Sequence, residues 1–285
     1  MAATTTAKPA NRIAVCIIGD EVLGGKTKDT NSHFVAKLCF AAGLSLKRVV
    51  VIPDDEADIV RTVRELSHDY SHVITSGGIG PTHDDITYDA IAKAFNADLV
   101  RHEETITRMV RIGQARTPDV PFELNPGRIR MAMLPSPSKV SFPCSDLWVP
   151  VVSTGEKQNV HIFPGVPRLF QQLVTRFVED TIVPNTPGLK KFIRKQVATI
   201  KMESEIMATL TKWQEKADAD GKGTRVGSYP KYTPVKMKDA LTGEEQDARV
   251  VISVVGTDDA EIDIVLRGIQ SELGAFEVAE EEAKL

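Results

Sequence analysis

The chain has 285 residues, 42% hydrophobic and 26% charged, enough for a full core and ordinary for a globular protein. Its formal net charge of -4 lacks the basic excess of a nucleic-acid binder, and no apolar run approaches the ~20 residues of a membrane helix. Neither nucleic acid nor a membrane is expected as a partner, and the expected location is cytoplasmic.

The opening "MAATTTAKPAN" has no apolar core and no arginine, so it reads as neither secretory signal nor transit peptide. Its lack of acids is the only support for an organelle-targeting alternative, and residues 1–10 are expected to be a disordered tail. Cys16, Cys39 and Cys144 are unevenly spaced and read as reduced, buried thiols.

"RIAVCII", residues 12–18, is a β-branched apolar run ending at Gly19 and predicts a buried strand. Phe34, Leu38 and Ala42 recur at i, i+4 and i+8, a helical face over 30–42 that Gly43 stops. "LKRVVVI" predicts a second strand, broken by Pro53, and Ile59, Val60, Val63 and Leu66 a second helix. "HVIT" predicts a third strand, followed by a helix marked by Ile86, Ala90, Ile91, Ala94 and Phe95. This alternation implies an α/β fold with a mostly parallel sheet covered on both faces.

From Gly113 to Pro150 seven prolines dissolve the pattern into expected long loops with short strands. "NVHIF" is a further strand, "PGVP" turns it into a helix over 168–179, and "VPNTPG" reads as a linker. Beyond it, "KFIRKQVATI", "SEIMATLTKWQEKA", "RVGSYP", "RVVISVVG" and "AEIDIVLRGIQSEL" predict a β-α-β-β-α order, a small α+β domain. The polar stretch 236–247 is expected to be its hairpin loop. The expected boundaries are thus 11–185 for the α/β domain, 186–278 for the α+β domain and 279–285 for an acidic tail.

Ligands of open α/β sheets bind beyond the carboxyl ends of the strands. The third strand ends in "SGGIGPTHDD". Gly77, Gly78 and Gly80 permit a sharp turn and close approach to a ligand, and successive free N–H groups there suit a phosphate. A tight turn with Asp84 or Asp85 capping the helix explains the glycines equally well. It leaves one carboxylate over, and a carboxylate beside a phosphate site suits Mg²⁺. Strand one ends in "GDEVLGG", where Asp20 and Glu21 read as a solvated turn, a metal contribution or a base for water. Asp29 or Thr30 is the expected N-cap of the next helix, with Thr30 or Asn31 free for ligand. Asp54 and Asp55 read as a solvated turn, and His83 as polar surface. Lys26 or Arg130 is the expected positive contact.

"GDEVLGGKTKDTNS", "SGGIGPTHDDIT" and "HIFPGVP" resemble the three signatures of the molybdopterin-binding (MoaB/MogA-type) domain. The version resembled is that of the CinA family and of the front of eukaryotic FAD synthases. "GSYP", residues 227–230, resembles the marker of the domain that follows in those proteins. The resemblance covers 12–183 and implies a three-layer α/β/α molybdopterin-binding fold. It implies metal-dependent hydrolysis of a dinucleotide pyrophosphate, FAD or ADP-ribose, into two monophosphates. The cofactor would be Mg²⁺, Mn²⁺ or Co²⁺, and the assembly a homo-oligomer, dimer or trimer. Asp20 matches the acid of the first signature, and Asp85 and Thr87 the aspartate and threonine of the second.

The implied catalytic residues are Asp20, Glu21 and Asp85, with Asp20, Asp84 and Asp85 on the metal. The implied substrate contacts are Gly19, Thr30, Asn31, Gly77, Gly78 and Gly80, then Pro81, Thr82, Thr87, Arg130, Pro164 and Gly165. No amidohydrolase or adenylyltransferase pattern follows within this sequence, so FAD synthesis is not expected of it. The alternatives are a molybdopterin-binding protein without hydrolysis and an inactive regulatory or scaffold homologue.

Overall fold

The computed structural model describes residues 11–278. The expected tails over 1–10 and 279–285 lie outside the described residues. The chain forms two compact units that divide between Leu189 and Lys190. This is later than the expected 185/186. Thr186 is buried with its hydroxyl donating to the Ile182 carbonyl at 2.7 Å, and Leu189 packs on the first core.

The first unit begins with β1 (Arg12–Ile18), a short turn α1 (Asp20–Leu23), α2 (Asn31–Ala42) and β2 (Ser45–Ile52). Gly43, left-handed at φ +77°, ends α2. α3 (Glu56–Asp69) is capped by the Asp55 carboxylate, which accepts from the Asp58 N–H at 2.9 Å. Then come β3 (His72–Ser76) and α4 (Thr87–Ala94).

The next two elements were not anticipated, and the proline-rich region beyond Gly113 is mainly loop with short strands, as expected. β4 (Asp98–Arg101) and α5 (Glu103–Arg116) precede a helical turn α6 (Pro126–Arg130), and β5 (Met133–Ser136) pairs with β4. α5 escapes a pattern search because it buries only Thr105, Ile106 and Met109 of its 14 residues. β6 (Lys139–Ser141), β7 (Val151–Thr154), β8 (Val160–Phe163) and α7 (Pro167–Phe177) complete the unit, with a π-helical turn over Val178–Ile182.

The main sheet runs β2-β1-β3-β8-β7-β6. The first four strands are parallel, and β7 and β6 are antiparallel additions. One apolar cluster packs α2 and α7 on one face of the sheet, and a second packs α3 and α4 on the other. The carboxyl ends of β1, β2, β3 and β8 therefore share one edge with the start of β7.

The second unit is β9 (Ile193–Thr199), α8 (Glu203–Asp220), β10 (Arg225–Lys238), β11 (Glu245–Gly256), α9 (Asp259–Leu273) and β12 (Phe276–Glu277). Its antiparallel sheet has the order β10-β11-β9-β12. The hairpin loop is shorter than the expected 236–247. Lys236 pairs with Asp247 in the strand register and across a 3.0 Å ion pair, so polar residues continue both strands. The turn between them is held by buried Asp239, which accepts from the Leu241 N–H at 2.8 Å.

Candidate functional site

A cavity of about 520 Å³ opens at the carboxyl edge of the first sheet. Its walls come from the loops after β1, β2, β3 and β8, and from the residues leading into β7.

The glycine turn answers to two demands. Gly77 and Gly78 have φ of +118° and +64°, values that disfavour any side chain. A Cβ on Gly77 would collide with the Ile18 carbonyl oxygen, and one on Gly78 with the Thr87 hydroxyl. On Gly165 it would lie 3.2 Å from the Gly77 Cα. Loops from three strands thus interlock backbone on backbone. Thr87 is fully buried, off the cavity wall, and acts as the lock. Its hydroxyl donates to the Gly77 carbonyl and its N–H to the Gly78 carbonyl, both at 2.9 Å. Among the described residues, the N–H groups of Gly78, Ile79 and Gly80 have no acceptor, and all three residues line the cavity. Successive free N–H groups form an anion-binding nest.

The aspartate pair is not a helix cap. α4 starts at Thr87 with no side chain on its N-cap. Asp85 Oδ2 instead accepts from the Thr82 N–H at 2.9 Å and its hydroxyl at 2.6 Å, folding the loop back on itself. Asp84 and Asp85 both line the cavity; Thr82 does not.

Asp20 departs from its expected place. Its side chain is exposed and off the wall, while its N–H donates to Asp54 Oδ2 at 3.1 Å. Asp54 lines the cavity in its stead. Burial pushes the Asp54 carboxyl above the ordinary range; the Asp20 N–H opposes this, and the charges of Asp20, Glu21 and Asp84 add to it. Glu21 folds its carboxylate back over Gly19. Several acids thus face one end of the cavity, in a mutual repulsion that a cation would relieve.

Among the described residues no three His, Cys, Asp or Glu side chains converge as a ready metal cage. The hard oxygen donors present nonetheless suit Mg²⁺ or Mn²⁺, since Mg²⁺ takes one or two carboxylates and completes its shell with phosphate and water. Asp54, Asp84 and Glu21 are the residues that would hold such an ion.

Gly19, Thr30, Gly80, Pro81, Pro164 and Gly165 all line the cavity. Asp29 accepts from the Asn31 and Ser32 N–H groups at the start of α2, which leaves Thr30 free of capping. Asn31 is buried and ties α2 to the other loops, donating to Ser76 Oγ at 3.0 Å and the Gly165 carbonyl at 2.9 Å. Arg130 lies beside a smaller neighbouring cavity, where it donates to the Asp85 carbonyl at 2.8 Å. The cation on the main wall is Lys28, not Lys26. The wall also carries Lys28 and Trp148, which sequence reasoning passed over, and Asp54, which it read as a solvated turn. For Asp54 a signal existed: like Asp20 it stands two residues beyond the end of a strand of the parallel sheet.

The fold and cleft define an α/β protein with a mostly parallel sheet whose strand-end loops enclose an acid-lined cavity. The chain belongs to the family described as "Probable molybdopterin binding domain", whose model matches residues 14–184. It is 30% identical over 256 residues to a probable FAD synthase of Caenorhabditis elegans, covering 85% of this chain and 48% of that protein. It is 30% identical over 227 residues to a CinA-like protein of Citrifermentans bemidjiense, covering 79% of this chain and 52% of the relative. The chain thus spans about half the length of these curated relatives. The crystal structure of the protein CinA with unknown function from Thermoplasma acidophilum superposes with a TM-score of 0.52 at 27% identity, covering 60% of this chain and 97% of that one.

Proposed function

We propose that the first unit is a divalent-metal-dependent nucleotide pyrophosphatase that hydrolyses FAD or ADP-ribose into two monophosphates. The observation that carries this reading is the meeting of a nest of free N–H groups with Glu21, Asp54, Asp84 and Asp85 on one cavity wall. Hydrogen-bond donors and carboxylates side by side suit a polyphosphate that brings its own cation. The name borne by one similar protein, probable FAD synthase, also lies in nucleotide chemistry.

In this reading the N–H groups of Gly78, Ile79 and Gly80 hold phosphoryl oxygens and stabilise the charge that builds on them. Thr82 keeps Asp85 fixed for its contact with the substrate side. Glu21 orients the attacking water, and Lys28 meets the second phosphate. A divalent ion, when bound, supplies charge that offsets the pyrophosphate and favours ionisation of a nearby water. Asp20 acts through its N–H on Asp54. Mg²⁺, Mn²⁺ and Co²⁺ are the candidate ions, and a dimer or trimer the proposed assembly.

Purified protein incubated with FAD or ADP-ribose, with and without each ion, tests this by chromatography of the products. FMN plus AMP, or ribose 5-phosphate plus AMP, formed only with metal, supports it; intact substrates in every condition overturn it. The family match favours a second reading, molybdopterin binding without hydrolysis. Co-purification of a fluorescent pterin with inert FAD would point there.

A further inference from the structure

The cavity is divided along the sheet edge, and the division says how a ligand lies in it. This inference rests on the reading of the cavity as a nucleotide pyrophosphate site. The acids follow β1, β2 and β3. Trp148, Val149 and Pro150 lead into β7, and Val166, Pro167 and Leu169 come after β8. Because β7 runs antiparallel beside β8, its start and the end of β8 share the edge. Every charged side chain on the wall, Lys28 and the acids, therefore lies after β1, β2 or β3, and the part from β8 and β7 carries none.

A metal-phosphate group matches only the charged half. A phosphate or bare sugar against the apolar half would lose water without gaining partners. A flat heteroaromatic ring loses little there and gains contact with an indole. Trp148 is half-buried and backed by the first core, so its place does not depend on a ligand.

Asn31 fixes the two parts of the wall to each other, bonding Ser76 at the end of β3 and Gly165 after β8. The Gly165 carbonyl can only accept, so it fixes Nδ2 of Asn31 towards it and Oδ1 away. The residue lines the cavity, is only 6% exposed, and its Oδ1 has no donor.

We propose that the apolar half is a ring subsite, in which Trp148 stacks on the heteroaromatic ring of the ligand. The ligand class is a nucleotide or flavin phosphate, oriented with phosphate over β1, β2 and β3 and ring over β8 and β7.

The test compares calorimetric affinities of AMP, FMN and ribose 5-phosphate at one Mg²⁺ concentration. The proteins are the wild type, Trp148→Leu and Trp148→Phe, each checked by melting. In the wild type, AMP or FMN binds about tenfold more tightly than ribose 5-phosphate, the order of one base–aromatic stack. Trp148→Leu keeps an apolar side chain without a π face; it erases that preference and leaves ribose 5-phosphate unchanged. Trp148→Phe restores most of it. In Trp213→Phe, Trp148 is the chain's remaining tryptophan, and its emission changes on adding AMP. No ring preference in the wild type, full preference in folded Trp148→Leu, or no binding of AMP and FMN each overturns the ring subsite. These readouts need no turnover. Inert FAD and ADP-ribose would overturn the proposed reaction while leaving a ring preference in place, and a lost preference alongside hydrolysis would do the reverse.

Discussion

The two units solve the problem of strand ends differently. In the second unit, antiparallel strands return through a tight turn whose carboxylate, Asp239, is fully engaged, and the helix starts are capped or ion-paired. In the first, parallel strands end in loops that must travel to a helix on either face. Those loops interlock through glycine and leave N–H groups and carboxylates facing a cavity. A parallel sheet thus gathers chemistry at one edge as a consequence of its connections, whereas a hairpin sheet disperses it.

The largest expected effect falls on the interlock. Gly77→Val forces a side chain into the Ile18 carbonyl at a φ of +118°. It should cost the first unit about 3–5 kcal/mol from strain and overpacking together. Gly78→Val meets the Thr87 hydroxyl and should act likewise, as a folding defect before any binding defect. Two melting transitions, of which only one moves, would show that the units fold separately; a common shift would refute that independence.

Next comes Asp54→Asn. It should lower metal-dependent hydrolysis by about 100-fold, the upper range for a group that supports a metal. Stability should change in the opposite direction. The Asp54 carboxyl titrates above its unfolded value, so the folded state holds the proton longer. Wild-type stability then falls as pH rises from the ordinary carboxylate range through the raised value, and stays lower above it. The Asn variant escapes that loss and melts higher than wild type at pH 7 without metal, but not below pH 4. An active variant, or one that melts lower at pH 7, would remove Asp54 from the site. Asp85→Ala frees Thr82 and should also abolish activity while costing about 1 kcal/mol of stability, a lost loop hydrogen bond.

Acid should separate the units more gently. All six histidines lie in the first, at positions 33 to 161. His161 is buried, with Nδ1 at 2.8 Å from Ser153 Oγ and Nε2 at 2.9 Å from His72 Nδ1. Burial, with His72 and Lys139 nearby, holds it well below 6.5, and burial lowers His72 too. The unfolded chain therefore binds these protons first, and stability is lost as pH falls through 6.5 towards the folded values. The melting temperature of the first unit should drop a few degrees from pH 7 to pH 5, with the second unmoved. Equal drops in both would contradict the assignment.

The smallest effect belongs to the second unit's surface. Lys195 reaches Asp263 at 2.6 Å and Asp259 at 2.7 Å, yet Lys195→Ala should change stability by only about 0.5 kcal/mol, because water screens a partly exposed pair. Denaturant midpoints would decide it.

How much of this was legible beforehand follows the range of the interactions. The alternation of β-branched runs with helical faces is written in neighbouring residues, so β1, β2, β3, β8, α2 and α7 were predictable to within a residue or two, and α3 and α4 by their buried faces. So was the meeting of "GDE", "SGGIGPTHDD" and "PGVP", since parallel strands bring their carboxyl ends to one edge. α5 was not, because its short buried stripe leaves little periodic signal. Among the acids, sequence alone places Asp20, Asp54, Asp84 and Asp85 after strands and ranks them by motif. Only the fold turns Asp20 outward, brings Asp54 to the wall against the charges of its neighbours, and ties Asp85 to Thr82 instead of a helix end. Thr87 and Trp148 exchange importance for the same reason. One is drawn inward to lock a glycine turn and the other is set on the cavity wall, and both outcomes depend on which backbone passes within a few ångströms, a fact no local pattern carries.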